Sequence, residues 1–189
     1  MSARIRSFIA IDVEKPDLIS KIGRIQQELA ATGAKMKLVE LENIHLTLRF
    51  LGEISPQMVR EVATILDKVE FRPFSMRIEG LGTFPEGSRR PRVVWLGVSH
   101  GAEEMKRIYE QIEKELRRLG FPKERERFVP HITIARVKWA NAELLRVLHE
   151  LREVIIGDMV VDSIRLKKST LTRSGPIYET LHEVKARAV

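Results

Sequence analysis

Two short stretches of the sequence carry a histidine followed two residues later by a threonine, between aliphatic residues. They are His45 and Thr47 in IHLTLR, and His131 and Thr133 in PHITIA. Because side chains alternate across a β-strand, each histidine shares one strand face with its threonine. Imidazole titrates near neutral pH, so one histidine can accept a proton while the other donates one. Hydroxyl groups beside them suit the non-bridging oxygens of a phosphodiester. The pattern therefore predicts acid–base catalysis at a phosphodiester, with no metal or other cofactor required.

Two other interpretations of the pattern are open. Paired histidines also ligate zinc, but no third ligand stands at the spacing of a helical metal motif such as His-Glu-x-x-His. A basic cleft with these residues could instead bind RNA ends without catalysis. Replacing the first histidine, His45, separates the enzyme from the binding module, because only an enzyme has turnover to lose.

The spacing of the elements around the two motifs indicates an internal repeat. Pro16 begins a helical apolar pattern, and Ser55 and Asn141 are predicted helix N-caps that follow the two motif strands. The interval from His45 to His131 is 86 residues, and the interval from Ser55 to Asn141 is the same. Two copies of one unit are therefore predicted, each with a strand, helix, strand, His-x-Thr strand, helix and strand.

The predicted fold is α+β, in a single bilobal domain over residues 1–189. The repeats cover roughly residues 4–80 and 92–171, and each is expected to form a lobe with a small antiparallel sheet and two flanking helices. A C-terminal strand over residues 176–185 is expected to complete the sheets. The lobes are expected to pack about a pseudo-twofold axis, so that both motif strands face one central cleft.

Composition narrows the class of partner. Lysine and arginine number 33 against 26 acidic residues, a formal net charge of +7 that favours a polyanionic partner. The absence of cysteine excludes disulfides and thiolate metal clusters, and fits a reducing cytoplasm. The apolar run from Phe8 to Ile11 is too short for a signal peptide or a membrane span. We therefore expect a soluble, cytoplasmic monomer that does not bind membranes.

Arg49 is a candidate RNA contact from its position on the first motif strand. It has the same parity as His45 and Thr47, so a regular strand would place it on the same face. The equivalent residue in the second repeat is Ala135, so this contact would belong to one repeat alone.

At these residues the sequence resembles the 2H phosphoesterase superfamily, in particular the RNA 2′,3′-cyclic phosphodiesterases, which are also described as 2′-5′ RNA ligases. The resemblance spans nearly the whole chain, through SFIAID, NIHLTLRFLGEI, FVPHITIARVK and LKKSTLTRSGPIYE. It implies two similar lobes around a V-shaped cleft. It also implies hydrolysis of a terminal 2′,3′-cyclic phosphate to a 2′-phosphomonoester.

The resemblance further implies roles for individual residues. His45 is the expected proton donor to the leaving 3′ oxygen, and His131 the expected proton acceptor that activates water. Thr47 and Thr133 are expected to bind the phosphate oxygens. Arg136 is a further expected substrate contact, but its odd spacing from His131 places it on the opposite face of a regular strand. The strand must therefore end or bulge there, or the side chain must reach around its rim.

The same residues fit two related activities. An RNA ligase would join the 2′,3′-cyclic phosphate of one tRNA half to the 5′-hydroxyl of the other through a 2′-5′ bond. Other branches of the superfamily act on small nucleotides, such as ADP-ribose cyclic phosphate or 2′-5′ oligoadenylates. The expected partner is an RNA end with a 2′,3′-cyclic phosphate, including tRNA halves. Hydrolysis and ligation differ in whether water or a ribose hydroxyl attacks.

Overall fold

The structure, a computed structural model, describes residues 3–187. Over this range it contains nine strands, four α-helices and one 3₁₀ turn, which confirms the predicted α+β class. The strands are β1 (Ile5–Asp12), β2 (Lys35–Leu38), β3 (His45–Ile54), β4 (Phe74–Phe84), β5 (Val93–His100), β6 (His131–Trp139), β7 (Ile155–Val161), β8 (Ser163–Thr172) and β9 (Gly175–Lys185). The helices are α1 (Pro16–Ala30), α2 (Pro56–Leu66), α3 (Ala102–Arg118) and α4 (Ala142–Glu150), and the 3₁₀ turn is Leu41–Asn43.

The helices begin where the capping residues predict. The Ser55 hydroxyl accepts a hydrogen bond from the backbone N–H of Met58 at 3.0 Å. The Asn141 side-chain oxygen accepts one from the N–H of Leu144 at 2.8 Å. Each bond satisfies an N–H group that the start of a helix leaves unpaired. None of the helices within residues 3–187 combines the length and the apolar character needed to cross a bilayer.

Two antiparallel sheets form the centre of the molecule. The first sheet has the strand order β3-β1-β8-β9, and the second has the order β2-β6-β5-β4-β7. Helix α1 contacts β6, β7 and α4 beside the second sheet, whereas α2 contacts α3 and β1 beside the first. Each sheet therefore carries two helices, as predicted. The two motif strands, β3 and β6, contact each other between the sheets.

The sequence repeats and the sheets do not coincide, which differs from the expectation that each repeat forms its own lobe. Strand β4 of the first repeat pairs with β5 in the second sheet, and β8 of the second repeat pairs with β1 in the first sheet. Helix α1 follows β1 but packs against β6 and β7. The C-terminal strand β9 pairs with β8, so it extends the first sheet. Each lobe is thus built from pieces of both repeats.

One strand of the predicted repeat is replaced by a loop. Residues 121–124 are the counterpart of β2 in the second repeat, and they form no strand. Pro122 lies in this segment and lacks the N–H that a sheet ladder needs. Instead, Nη2 of Arg49 on β3 donates a hydrogen bond to the carbonyl oxygen of Pro122 at 2.6 Å. This segment is therefore joined to β3 by a side chain, whereas its counterpart β2 is joined to β6 by backbone hydrogen bonds.

Each motif strand has a one-residue β-bulge directly after its threonine. Leu48 on β3 has no partner in the pairing with β1, and Ile134 on β6 has none in the pairing with β5. The two bulges are 86 residues apart, the interval of the repeat. A single extra residue reverses the alternation of side chains, so the residues that directly follow it change face. The bulges therefore decide which side chains follow His45 and His131 on the cleft side.

The first bulge overturns the expectation that Arg49 shares a face with His45. The Arg49 side chain is only 8% exposed; its Nε lies 2.6 Å from a carboxylate oxygen of Glu113, and its Nη1 lies 3.3 Å from one of Glu124. These partners belong to α3 and the loop after it, on the helix side of the sheet. Arg49 is therefore held in buried ion pairs on the helix side of the sheet, and the exposed Phe50 lies on the face of His45 and Thr47.

We predict that Arg49→Met lowers the free energy of unfolding by about 3–5 kcal/mol, because it leaves a buried carboxylate at Glu113 without its partner. Equilibrium urea unfolding of the whole chain measures this loss. Arg77→Met is the matched control, since Arg77 pairs with Asp158 at an exposed position and its loss should change stability little. A loss for Arg49→Met as small as that of the control would contradict the prediction.

Candidate active site

His45 is the first residue of β3 and is half-buried. Its Nδ1 donates to the carbonyl oxygen of Asn43 at 2.7 Å, and its Nε2 lies 3.0 Å from the hydroxyl of Thr47. Because a carbonyl only accepts, Nδ1 carries the proton of the neutral ring, and Nε2 is the nitrogen able to exchange a proton. The Asn43 side chain donates to the carbonyl of Pro176 at 3.0 Å, so β9 holds the residue that orients His45.

His131 is oriented in the same way at the start of β6. Its Nδ1 donates to the carbonyl oxygen of Val129 at 2.7 Å, two residues earlier, as in the first motif. Nε2 is again the nitrogen able to exchange a proton. Among the described residues, Nε2 of His131 has no hydrogen-bond partner, so its lone pair is available. The two motifs therefore offer chemically equivalent nitrogens from the two lobes.

Aromatic rings and burial shape the environment of His45. The Phe8 ring centroid lies 5.1 Å from that of His45, and the Tyr178 ring makes an edge contact at 5.4 Å. Burial lowers the pKa of His45 below its ordinary value of 6.5, because the charged ring loses its hydration. Neutral imidazole is therefore the main form of His45 at neutral pH in the free protein.

Charged groups act on the pKa of His45 in both directions. The hydrogen bond to Asn43 and the carboxylate of Asp12 raise the pKa, and the cations of Lys167 and Arg136 lower it. These effects are smaller than that of burial, which is the leading cause of the lowered pKa. Arg136 belongs to β6, so a charge from the second motif strand acts on the histidine of the first.

The environment of His131 is aromatic as well. The Phe84 ring makes an edge contact with His131 at 5.1 Å, and the Trp95 ring lies at 6.2 Å. The Trp95 indole lies over Gly82, where a Cβ atom would come within 2.3 Å of the indole. Only glycine fits at position 82 beneath this ring. The indole thus occupies the space that a side chain at residue 82 would fill.

The two threonines occupy equivalent positions. Thr47 lies opposite Ala10 of β1, Thr133 lies opposite Trp95 of β5, and both are half-buried. Each precedes the bulge of its strand, so each keeps the face of its histidine. Two hydroxyl groups therefore accompany the two imidazoles on the cleft side.

The second bulge explains the parity of Arg136. Ile134 and Ala135 are both buried, and Arg136 is exposed on the side of Thr133. Its charge lowers the pKa of both His45 and Tyr178, which are on the other sheet. The odd spacing between His131 and Arg136 required the strand to end, to bulge, or to let the side chain reach around its rim. The structure shows the bulge. The residue equivalent to Arg136 in the first repeat is Phe50, so the cleft has a cation on one side and an aromatic ring on the other.

Two residues near His45 escaped the sequence analysis. Asp12 lies opposite His45 in the strand pairing, and Tyr178 contacts its ring. Asp12 ends the motif SFIAID, but the second repeat has no acidic residue at the paired position to draw attention to it. Tyr178 lies on β9, outside both repeats, so no comparison of repeats could find it.

The side chains of β3 and β6 together suit proton transfer around an anion. Two Nε2 atoms can accept or donate a proton, two hydroxyls can donate to oxygens, and Arg136 supplies a positive charge. Over residues 3–187, no group of three or more His, Asp and Glu side chains is arranged to hold a metal ion. The groups that are present match the needs of phosphodiester cleavage.

Comparison with known proteins finds the same family model twice along the chain. The family model described as LigT like Phosphoesterase matches residues 12–95 and again residues 96–178. An RNA 2′,3′-cyclic phosphodiesterase of Aeropyrum pernix is 46% identical over 171 residues, which cover 89% of this chain and 97% of that protein. The protein of the same name from Archaeoglobus fulgidus is 37% identical over 177 residues, covering 94% and 98%.

Solved structures share the fold. TT0787 of Thermus thermophilus superposes with a TM-score of 0.82 at 26% identity, covering 97% of this chain and 98% of that one. Apo LigT of E. coli superposes with a TM-score of 0.79 at 23% identity, covering 99% and 100%. At that lower identity the likeness concerns the fold alone. From the two matches to the family model, which together span most of its length, we conclude that the chain belongs to the LigT-like family of phosphoesterases.

Proposed function

We propose that this protein opens the 2′,3′-cyclic phosphate at RNA ends to a 2′-phosphomonoester, by acid–base catalysis between His45 and His131. The observation that carries the proposal is the equivalent anchoring of both rings, each by Nδ1 to a carbonyl at 2.7 Å with Nε2 left for proton exchange. The names of the Aeropyrum and Archaeoglobus relatives support the choice of substrate.

The reaction uses one water molecule and conserves protons. Water attacks phosphorus and loses a proton to Nε2 of His131, whose lone pair has no partner among the described residues. The bond between phosphorus and the 3′ oxygen breaks, and that oxygen takes its electron pair and a proton from Nε2 of His45, which enters the step as the imidazolium that the bound phosphate anion stabilises. The 2′ oxygen keeps the phosphate. His45 and His131 have then exchanged their protonation states, and proton exchange with water restores them.

Three further groups bind the phosphate in this proposal. The hydroxyls of Thr47 and Thr133 donate to the non-bridging oxygens, whose charge grows in the transition state. Thr47 is hydrogen-bonded to His45 in the free protein, so its hydroxyl is already placed beside the reactive nitrogen. Arg136 adds a positive charge that acts on the His45 side of the cleft. The net charge of +7 favours association with an RNA backbone.

The same site serves the ligase alternative when a 5′-hydroxyl of a second RNA replaces water. The roles of the two histidines exchange when ligation runs as the reverse of 2′-5′ bond cleavage. Product analysis with a 5′-hydroxyl RNA present separates the two outcomes, because ligation gives a longer RNA and hydrolysis gives a 2′-phosphate.

We expect the purified protein to open a short RNA ending in a 2′,3′-cyclic phosphate in the presence of EDTA. His45→Ala and His131→Ala should each lower kcat by roughly 10²–10⁴, the range typical of a lost general acid or base. Chromatography of the labelled product against 2′- and 3′-phosphate standards measures both the rate and the position of the phosphate.

His149→Ala is the control for this experiment, since His149 lies in α4 and is exposed away from both motif strands. It should keep the activity of the wild type. RNA that binds to the wild type but is not opened would refute the hydrolase and leave the binding module. Activity that disappears in EDTA and returns with zinc would refute the metal-independent mechanism.

We also predict the protonation of His45 in the free protein. Because burial disfavours the charged ring, its Cε1 proton should titrate in NMR with a midpoint below 6.5. Binding of a 2′-nucleotide should move this midpoint upward, because the phosphate anion stabilises the imidazolium. His45→Asn assigns the resonance. A midpoint above 6.5 without ligand, or one that 2′-nucleotide moves downward, would contradict the prediction.

A further inference from the structure

The two histidines stand on equivalent strands but face different neighbours. On β1, Asp12 lies opposite His45, and on β5, Gly97 lies opposite His131. A Cβ atom at Gly97 would lie 2.9 Å from the backbone oxygen of Glu79, so this position has no room for a side chain. The carboxylate beside the first histidine therefore has no counterpart beside the second.

A second difference between the surroundings of the two histidines lies on the strands beside β1 and β5, which are β8 and β4. Lys167 of β8 lies opposite Phe8 of β1, and Phe84 of β4 lies opposite Val93 of β5. These two positions are equivalent in the pseudo-twofold arrangement of the sheets. Phe84 contacts the ring of His131, so an aromatic ring stands on the second side where an ammonium group stands on the first.

Asp12 and Lys167 form a buried ion pair. The ammonium of Lys167 donates to Oδ2 of Asp12 at 2.7 Å, and the two side chains are only 10% and 12% exposed. The same carboxylate oxygen accepts a hydrogen bond from Nη1 of Arg165 at 2.7 Å. Buried charges are stable only when they are paired, so Asp12 keeps the ammonium of Lys167 in place.

The ion pair also adjoins open space next to His45. Lys167 lines a cavity of about 490 Å³ together with Asn43, which anchors the His45 ring, and Tyr178, which contacts it. Among the described residues, the ammonium donates only to Asp12. An ammonium has three N–H donors, so two remain for a ligand in this cavity.

We propose that the buried Asp12–Lys167 ion pair is a positioning device that assigns the role of proton donor to His45 and leaves the role of acceptor to His131. This inference rests on the proposed hydrolysis of 2′,3′-cyclic phosphates. Both imidazoles are anchored alike through Nδ1, and the ion pair is a charged group that the first has beside it and the second does not.

The physical basis is the buried ion pair beside the ring of His45. A fixed positive charge makes the imidazolium of His45 a stronger acid, so it gives its proton to the leaving 3′ oxygen more readily. Asp12 raises the pKa of His45 more strongly than Lys167 lowers it, so the carboxylate favours the imidazolium that a proton donor needs, and it holds the ammonium at a fixed position. Phe84, at the equivalent position of the other lobe, offers no such charge.

Four charged or titratable side chains face His45 from the surrounding strands. They are Asp12 from β1, Arg136 from β6, Lys167 from β8 and Tyr178 from β9. Burial raises the pKa of Tyr178, so this residue stays neutral at neutral pH. Arg136 is exposed, whereas Lys167 is buried and held by a partner. Lys167 is therefore the cation whose position the fold determines.

The test compares two substrates that differ in the leaving atom. One is a short RNA with a 2′,3′-cyclic phosphate, and the other has sulfur in place of the 3′ bridging oxygen. A thiolate leaves without being protonated, so a residue that assists the proton donor matters only for oxygen. Lys167→Met should lower kcat about tenfold for the oxygen substrate and leave kcat for the sulfur substrate unchanged.

Lys168→Met is the matched control. It removes the same charge one residue along β8, where the side chain is 39% exposed and pairs with Glu179. It should leave kcat for both substrates unchanged. Asp12→Asn should give the same selective loss as Lys167→Met, because the ammonium loses the charge that holds it.

A second measurement needs no turnover. NMR titration should show that Lys167→Met raises the pKa of His45 and that Asp12→Asn lowers it. Variants that merely loosen the fold would not shift one histidine in opposite directions. Equal losses of Lys167→Met on both substrates, or an unchanged pKa of His45 in that variant, would overturn the inference. A wild-type protein that opens neither substrate would refute the proposed function instead.

Discussion

One extra residue in each motif strand determines what faces the cleft. The alternation of a regular strand would continue from His45 and Thr47 to Arg49, and would turn Arg136 away from His131. The bulges at Leu48 and Ile134 reverse this order, so the sheet buries Arg49 among helix residues and exposes Arg136. The strand determines which face each histidine lies on. The hydrogen bond from Nδ1 to a carbonyl two residues earlier then leaves Nε2 as the exposed ring nitrogen.

The exchange of strands between repeats joins the two halves of the site. Because β4 and β8 each complete the sheet of the other repeat, the motif strands are held by backbone pairing that runs through both sheets. A charge on β6 can therefore act on a histidine of β3 at a defined place. Arg49 adds a third connection, since it links β3 to α3 and to the loop that leads to His131. These connections between the lobes fix where the two histidines stand, as the proposed acid–base catalysis requires.

Much of the fold follows from local signals in the sequence. Ser55 and Asn141 mark helix starts because a side-chain oxygen three residues before a free N–H is a local feature. The exchange of β4 and β8 depends on which strands stand at the edge of each sheet. The sequence of a single segment does not determine its partner strand. The bulge before Arg49 could not be predicted from the sequence, because the apolar residues of that strand alternate regularly up to the extra residue. The predicted face of Arg49 is therefore wrong. Asp12 and Tyr178 are near His45 only through strand pairing and the path of β9.

The exchange of strands also determines what one repeat could do by itself. A polypeptide containing only the first repeat would leave β4 without β5 and β1 without β8, so two such polypeptides would have to trade strands to bury their cores. The present molecule has the topology of such a domain-swapped homodimer joined end to end. In a single chain the two halves need not be identical. A substitution in a homodimer appears on both sides of the axis, whereas a single chain can keep a lysine on one side and a phenylalanine on the other.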